Sequence, residues 1–326
     1  MKIIGTGSYL PDNLVESSIF DKRFNLEDGW TEKKSGIKFR HYITNETQAT
    51  MAKNAIFDAI NNANIKLSDI DCIISACGVM QQLIPCTASL IQKELGLENS
   101  GIPCFDINST CLSFVTAYDV ASAIIKTKRY KTILIVSSDA ASTGLDIDDL
   151  KSSILFGDGA AAIIVQATND ESPKLIKYKQ ETYSIGAEHA CIKGGSSFLH
   201  STKYTKEIEK EFLFHMNGTK LYEIASKKLK PLFDKVLNES NLTISDIKLV
   251  IPHQASLMAM KLIQRKLQIP DEKYLYNIAN TGNMIATSIP YCIDFVIKNN
   301  LIKRGDKVVL LGTSAGMSIG IMVFEY

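Results

Sequence analysis

Three residues far apart in the chain carry the side chains that acyl chemistry needs: Cys111 in DINSTCLSF, His253 in VIPHQAS and Asn283 in NTGNMIATSIP. A cysteine thiolate is a nucleophile, an imidazole takes or gives a proton near neutrality, and a carboxamide offers N–H donors to a developing oxyanion. Each also has a plain structural role. A buried cysteine behaves as a small hydrophobe, a histidine at a strand end is commonly just hydrogen-bonded, and asparagine is ordinary turn chemistry. Their surroundings argue for more. Cys104, Phe105 and Ile107 read as the end of a buried strand, and Leu112, Val115, Tyr118 and Ala121 recur at helical spacing, with Ser109 and Thr110 as N-cap residues. Cys111 is therefore expected in a helix's first turn, where free backbone N–H groups and the dipole favour thiolate. His253 lies between an apolar strand and the helical pattern of Leu257, Met260 and Ile263, and Asn283 lies in a glycine-flanked turn before Pro290. Near the C-terminus, the small residues 312–316 in LLGTSAGMSIG sit between two apolar runs, where a backbone N–H can approach a ligand closely.

At 326 residues and 45% hydrophobic, the chain can bury a sizeable core as one large domain or two intimate halves. Thirty-six Lys and Arg against 35 Asp and Glu leave a net charge of +1, so no basic excess points to nucleic acid. The seven cysteines, with no CxxC pair, and five scattered histidines fit a reduced cytoplasmic protein without a metal site better than a disulfide framework. No apolar run approaches the length of a membrane span, and MKIIGTGSYLP has too short an apolar run for a signal peptide.

The elements that must position the three residues alternate along the chain. Residues 3–8, 70–76 and 132–137 read as strands, the last two apolar throughout as in a sheet buried on both faces, and 50–64 and 87–95 read as helices. Residues 24–40, with Trp30 and the basic Lys33, Lys34, Lys38 and Arg40, read as a solvated surface loop. Gly5-x-Gly7 runs into Tyr-Leu-Pro and opens no helix, while Gly157-x-Gly159-x-x-Ala162 runs into β-branched residues, so neither reads as a dinucleotide loop. The second half echoes the first. LSDIDCIIS at 67–75 matches ISDIKLVIP at 244–252, an offset of 177; YKTILIVSS at 130–138 matches GDKVVLLGT at 305–313, an offset of 175. INSTC ending at Cys111 matches IANTGN ending at Asn283, an offset of 172. The expected architecture is an α/β chain duplicated into residues 1–168, carrying Cys111, and 169–326, carrying His253 and Asn283, with the turn-rich 168–173 stretch as border.

The motifs DINSTCLSF, FGDGAAA, VIPHQAS, NTGNMIATSIP and GTSAGMSIG stand in the order and spacing of the β-ketoacyl-acyl-carrier-protein synthase III family, which the chain resembles over essentially its full length. The resemblance implies the thiolase-like fold, two βαβαβαββ halves in a five-layer α-β-α-β-α arrangement, as a homodimer. It implies Cys111 as nucleophile, His253 and Asn283 as donors to a thioester oxygen, and an oxyanion hole from the backbone N–H groups of Cys111 and Ala315, where the family has glycine. The implied reaction is acyl transfer from an acyl-coenzyme A or acyl-carrier-protein donor to Cys111, then decarboxylative Claisen condensation with malonyl-carrier protein. No cofactor or metal is implied, the thioesters being substrates. The alternative within the same fold is acyl transfer without condensation.

Some positions depart from the family pattern. Trp30 matches its adenine-stacking tryptophan, Lys34 stands for an arginine that helps hold coenzyme A, and Arg265 and Lys266 remain on the helix that docks carrier protein, although Met258 replaces an arginine there. Glu223 stands where a lysine commonly reaches the pantetheine. A carboxylate beside a phosphate lowers affinity, so the donor is expected to be unusual or carrier-bound. Ile84 replaces a phenylalanine from the partner subunit that limits the acyl pocket, which leaves room for a longer or branched chain. Gly78 occupies the place of the glutamate base of hydroxymethylglutaryl-coenzyme A synthases, which argues against that activity.

Overall fold

In a computed structural model, which describes residues 1–169 and 174–326, the apolar segments form two sheets of matching topology. Strands β1 (Lys2–Tyr9), β2 (Cys72–Ser75), β3 (Cys104–Asp106), β4 (Thr132–Asp139) and β5 (Gly159–Gln166) line up in the order β1-β5-β4-β2-β3. Strands β6 (Leu175–Thr182), β7 (Leu249–Pro252), β8 (Lys307–Ser314) and β9 (Ser318–Glu325) line up as β6-β9-β8-β7. Beyond β7 a parallel bridge from Val250 to Tyr274 stands where β3 pairs with β2 in the first sheet. The expected border stretch runs between β5 and β6, and its residues 170–173 lie outside the described residues.

Helices α1 (Gln48–Ala63) and α2 (Thr87–Glu94) cover the outer face of the first sheet, and α3 (Ser113–Lys126) lies between the sheets. On the far side α4 (Gly218–Glu239) and α5 (Leu257–Leu267) cover the second sheet, while α6 (Ser288–Lys298) joins α3 in the central layer. This gives five layers. The period-two geometry of a strand explains why its apolar runs are unbroken: Ile133 and Ile135 face the central helices, and Leu134 and Val136 face α1. Each such side chain, fully buried, contributes about 1.5–3 kcal/mol relative to exposure. The two halves are also joined by polar contacts. Asp294 of α6, buried, accepts hydrogen bonds from Thr6 Oγ1 at 2.7 Å and Ser8 Oγ at 2.6 Å on β1 and pairs with Lys298 at 2.9 Å.

Two expectations need correction. The strand offsets of 177 (72 and 249) and 175 (132 and 307) agree with the sequence echoes, but the Cys111 register does not. A 3-10 turn at Thr110–Leu112 precedes α3 and its counterpart at Ile285–Thr287 precedes α6, an offset of 175, so the counterpart of Cys111 is Ala286 rather than Asn283. Residues 24–40 are also more ordered than a solvated loop. Trp30–Ser35 is helical, and Phe39–Tyr42 pairs with Asn13–Glu16. Arg40 is buried, lies 4.7 Å over the Phe20 ring and donates to the Ile154 carbonyl at 2.8 Å, and burial pulls its pKa down to about 10. Alternate residues of a strand face opposite ways, so one member of a basic run turned inward.

Candidate active site

Cys111 does not lie in the α-helix itself. Thr110, with φ of +49°, opens the 3-10 turn and the helix starts two residues after Cys111, with no side chain capping it. Ser109 and Thr110 work across the halves instead. Thr110 Oγ1 hydrogen-bonds Ser314 Oγ at the end of β8, and Ser314 Oγ donates to the Ser109 carbonyl at 2.8 Å. Ser113 Oγ closes the turn, accepting from Ser109 N–H at 2.9 Å and donating to the Thr110 carbonyl at 2.7 Å. Beside the sulfur-bearing residue, Leu112 sinks against two glycines of the second sheet. A Cβ on Gly312 would meet Leu112 Cδ2 at 2.8 Å, and one on Gly320 at 3.0 Å, so only glycine lets the turn come so close.

Burial pushes the Cys111 thiol up to about 12; the Asp139 charge adds to this, and the backbone N–H groups of Ala315 and of Cys111 itself act in the opposite sense. Desolvation thus outweighs the helix end, and the expected resting thiolate is a thiol. The same two N–H groups are those expected in an oxyanion hole.

His253 stands one residue beyond β7. Its N–H extends the parallel ladder to the Leu311 carbonyl at 2.7 Å, and its own carbonyl accepts from Ala255 N–H at 3.0 Å, which turns the chain so that Ser256 caps α5. The ring is buried, Nδ1 lies 2.7 Å from Ser288 Oγ, and burial lowers its pKa to about 4, so the imidazole is neutral at pH 7. His253 Cβ lies 3.4 Å from where a Cβ on Gly312 would stand, so His253 and Leu112 press on the same glycine. Asn283 is clamped by its backbone, donating to the Leu155 carbonyl at 2.8 Å and accepting from Gly157 N–H at 3.1 Å. Its Oδ1 accepts from Ile285 N–H at 2.9 Å, and its Nδ2 donates one hydrogen to the carbonyl of Ala255, two residues past His253, at 3.4 Å.

The 110–112 and 285–287 turns pack on each other, so the three residues belong to one connected group. No described cavity is lined by all three. A cavity of about 40 Å³ lies behind His253 against Tyr274 and Met260, and one of about 490 Å³ lies over Asp146, Asp148, Asp149, Glu188 and His215. The 145–149 segment beside that larger cavity is held by an exposed ion pair, Arg23 to Asp148 at 2.7 Å, and by a second from the exposed Lys210 to the buried Asp146 at 3.3 Å. It connects inward through a Leu145–Phe214 bridge, a Phe214–Phe156 ring contact at 5.3 Å and a Phe156–Asn283 bridge.

Sequence reasoning passed over two members of this group. Asp139, fully buried at the end of β4, accepts from Gly78 N–H at 2.7 Å and Val79 N–H at 3.2 Å on one oxygen and from Thr287 N–H and Oγ1, both at 3.0 Å, on the other. Burial still raises it to about 6. An acid ending an apolar strand, TILIVSSD, was the available signal. Ser288, the partner of His253, gave none beyond its place at a helix start.

Of the expected substrate-binding residues, Trp30 is half-buried and Lys34, Arg265 and Lys266 are exposed. Gly36 packs against Leu257, so the Trp30–Ser35 helix meets the first turn of α5, whereas Arg265 and Lys266 lie in its last turn, about 12 Å along the axis. Ile84 is 85% exposed in an apolar loop with Met80 and Leu83. Among the described residues no group of His, Cys, Asp and Glu could hold a metal ion, and no helix is long and apolar enough to cross a membrane.

Residues 105–184 match the 3-oxoacyl-[acyl-carrier-protein (ACP)] synthase III family and residues 237–326 match its C-terminal family. Beta-ketoacyl-[acyl-carrier-protein] synthase III of Clostridium acetobutylicum is 34% identical, covering 100% of this chain and 98% of its own. The chain belongs to the synthase III family. The Aquifex aeolicus synthase III crystal structure, at 30% identity, superposes with a TM-score of 0.88 over 100% of this chain and 99% of that one. Another 3-oxoacyl-(acyl-carrier-protein) synthase III, at 20% identity, shares the fold with a TM-score of 0.93 over 99% of both chains. Within this synthase III member the fold is the thiolase-like one expected from sequence.

Proposed function

We propose that this synthase III member transfers an acyl group from a thioester to Cys111 and condenses it with a malonyl thioester, releasing carbon dioxide and a β-ketoacyl product. The single observation that carries this reading is the packing of the Cys111 turn on the 285–287 turn, which follows Asn283 and leads into Ser288, the partner of His253; the backbone N–H groups of Cys111 and Ala315 would form the oxyanion hole. In the first half-reaction the S–H bond breaks, sulfur bonds to the acyl carbon, and the donor's C–S bond breaks, its sulfur leaving with a proton. The two N–H groups hold the tetrahedral oxyanion; losing one such donor typically costs about 10²–10³ in kcat. In the second, the malonyl C–C bond breaks, and the electron pair is held as an enolate by hydrogen bonds from Asn283 Nδ2 and His253 Nε2. Its carbon then attacks the acyl carbon, the bond to Cys111 breaks, and the sulfur regains a proton. This needs protonated donors in place, which the second hydrogen of Asn283 Nδ2 supplies, the first being on the Ala255 carbonyl.

The substrate side is part of the same proposal. Glu223 pairs with Lys220 at 3.2 Å and the cavity near Asp146 is rich in carboxylates, which favours a donor on carrier protein, or an unusual acyl group, over a phosphate-rich coenzyme A. A second copy of the chain covering the exposed Ile84 loop completes the acyl pocket as a homodimer. The test is a panel of labelled acyl thioesters scored by mass added to Cys111, followed by carbon dioxide release from malonyl-carrier protein. Acylation with release supports condensation; acylation without release points to simple acyl transfer; an acylated Cys111→Ala protein sinks the nucleophile assignment.

A further inference from the structure

The internal duplication gives a way to decide which ring nitrogen of His253 carries its proton. Ser113 and Ser288 occupy the same place in the two halves, each first in its helix after a 3-10 turn, 175 residues apart. In the first half the hydroxyl hydrogen is committed: Ser113 Oγ donates to the Thr110 carbonyl three residues back, because its other partner, Ser109 N–H, can only donate. Ser288 makes the matching bond to the Ile285 carbonyl at 3.0 Å and has Gln254 N–H at 3.4 Å on its accepting side. Two contacts have no equivalent in the first half: Gln254 N–H, which can only donate, and His253 Nδ1 at 2.7 Å. A hydroxyl has a single hydrogen. With that hydrogen on the Ile285 carbonyl, Nδ1 must be the donor.

We infer that Ser288 is a positioning residue that sets the resting tautomer of His253, with the proton on Nδ1 and the lone pair on Nε2, so that the ring can take the Cys111 thiol proton during acylation. This rests on the proposed two-step reaction. The thiol proton passes to Nε2 as sulfur attacks and from Nε2 to the departing sulfur, leaving the ring neutral. Decarboxylation calls for the opposite tautomer, with hydrogen on Nε2 facing the enolate oxygen. Between the steps Nε2 takes a proton from water and Nδ1 gives its own up to water, and a hydroxyl serves both tautomers because it can then swing its hydrogen from the Ile285 carbonyl onto Nδ1. A backbone carbonyl in its place would lock one tautomer and a backbone N–H the other.

Nitrogen-15 spectra of histidine-labelled free enzyme test this directly, with the His253 signals identified by their loss in His253→Gln. The expected result is a neutral ring protonated at Nδ1; a proton on Nε2 in the free enzyme overturns the inference without bearing on whether the enzyme condenses. The half-reactions supply a second readout in Ser288→Ala. Without an acceptor at Nδ1 the proton moves to Nε2, so acylation of Cys111 is expected to slow by about tenfold or more, toward the usual range for a lost general base. Carbon dioxide release by pre-acylated enzyme is expected to stay within about threefold, since it uses the Nε2–H form. Ser288→Thr, which keeps the hydroxyl, is expected to restore acylation. Equal slowing of both steps, or no slowing of acylation, defeats the assignment. Lack of any condensation in wild type defeats the proposed function and leaves the spectral result standing.

Discussion

Thr110 and Ile285, 175 residues apart, share a left-handed backbone, with φ of +49° and +48°. Both are β-branched, for which this conformation costs on the order of 1–3 kcal/mol. The strain recurs at the one place where each half turns its chain into a central helix, and each turn is held by a strand end of the other half: Ser314 for the first, Asp139 for the second. The site is thus built by mutual support between halves rather than by either alone, and the predictions concern the contacts that provide it.

The seat of Leu112 is the most exposed to a single added carbon. Gly312→Ala places a methyl 2.8 Å from Leu112 Cδ2, and relief requires the Cys111 turn to lift. The expected outcome is a loss of about 1–3 kcal/mol of stability in urea titration, in line with overpacked cores, together with acylation slowed by tenfold or more. An enzyme as fast and stable as wild type would show that the turn tolerates displacement.

A half-buried thiol pushed up to about 12 leaves roughly one sulfur in 10⁴ ionised at pH 8. Iodoacetamide is therefore expected to alkylate Cys111 at least about 100-fold more slowly than free cysteine at that pH, with a rate rising about tenfold per pH unit up to 10. Rapid, pH-independent labelling, followed by peptide mass, would instead reveal a resting thiolate–imidazolium pair.

His253 is held neutral down to about pH 4, whereas in the unfolded chain it protonates near 6.5. As pH falls through 6.5 the unfolded state gains a proton that the folded state does not, so stability is lost until about pH 4, some 3 kcal/mol in all. Asp139, raised to about 6 from 3.8, works against this, because its folded form keeps a proton the unfolded chain releases and so stabilises the acid side. His253→Gln should leave only the second effect. Unfolding titrations at pH 7 and 4.5 are expected to show wild type losing about 2–3 kcal/mol more than the variant, and equal losses would refute a neutral buried ring.

Asp139→Ala strands the buried N–H groups of Gly78 and Thr287 and removes an acceptor from the half-buried Val79 N–H and from the Thr287 hydroxyl, which keeps only the Gly159 carbonyl at 3.4 Å. A cost of about 3–5 kcal/mol is expected, because several buried donors lose their acceptor at once. Hydrogen exchange should quicken first at Gly78 and Thr287. Unaltered protection at both amides would mean that water replaces the carboxylate without loss.

Much of this was legible in the residues themselves. The apolar runs of β2, β4, β7 and β8 announced strands buried on both faces, and their near-constant offsets announced the duplication. The register at Cys111 was not legible, because a short text match, Asn108 on Asn280 and Ser109 on Thr281, aligned loop residues while the helix starts, Ser113 and Ser288, set the true equivalence. The state of the sulfur was missed for a different reason. A helix end is visible in sequence, but the desolvation that overrides it comes from neighbours distant in the chain, Leu112 on Gly312 and the carboxylate of Asp139 among them. Arg40 escaped for want of a partner strand to say which way it faced.

The Arg23–Asp148 pair that fastens the 145–149 segment sits in water, while the bond between His253 and Ser288 is shielded from it. Added electrolyte shortens the reach of charge from about 10 Å at 0.1 M to about 3 Å at 1 M, and it does so only outside. Brine would therefore loosen the fastening of the 145–149 segment and leave the seat of His253 untouched, so that the two parts of the molecule answer to separate features of the surrounding medium.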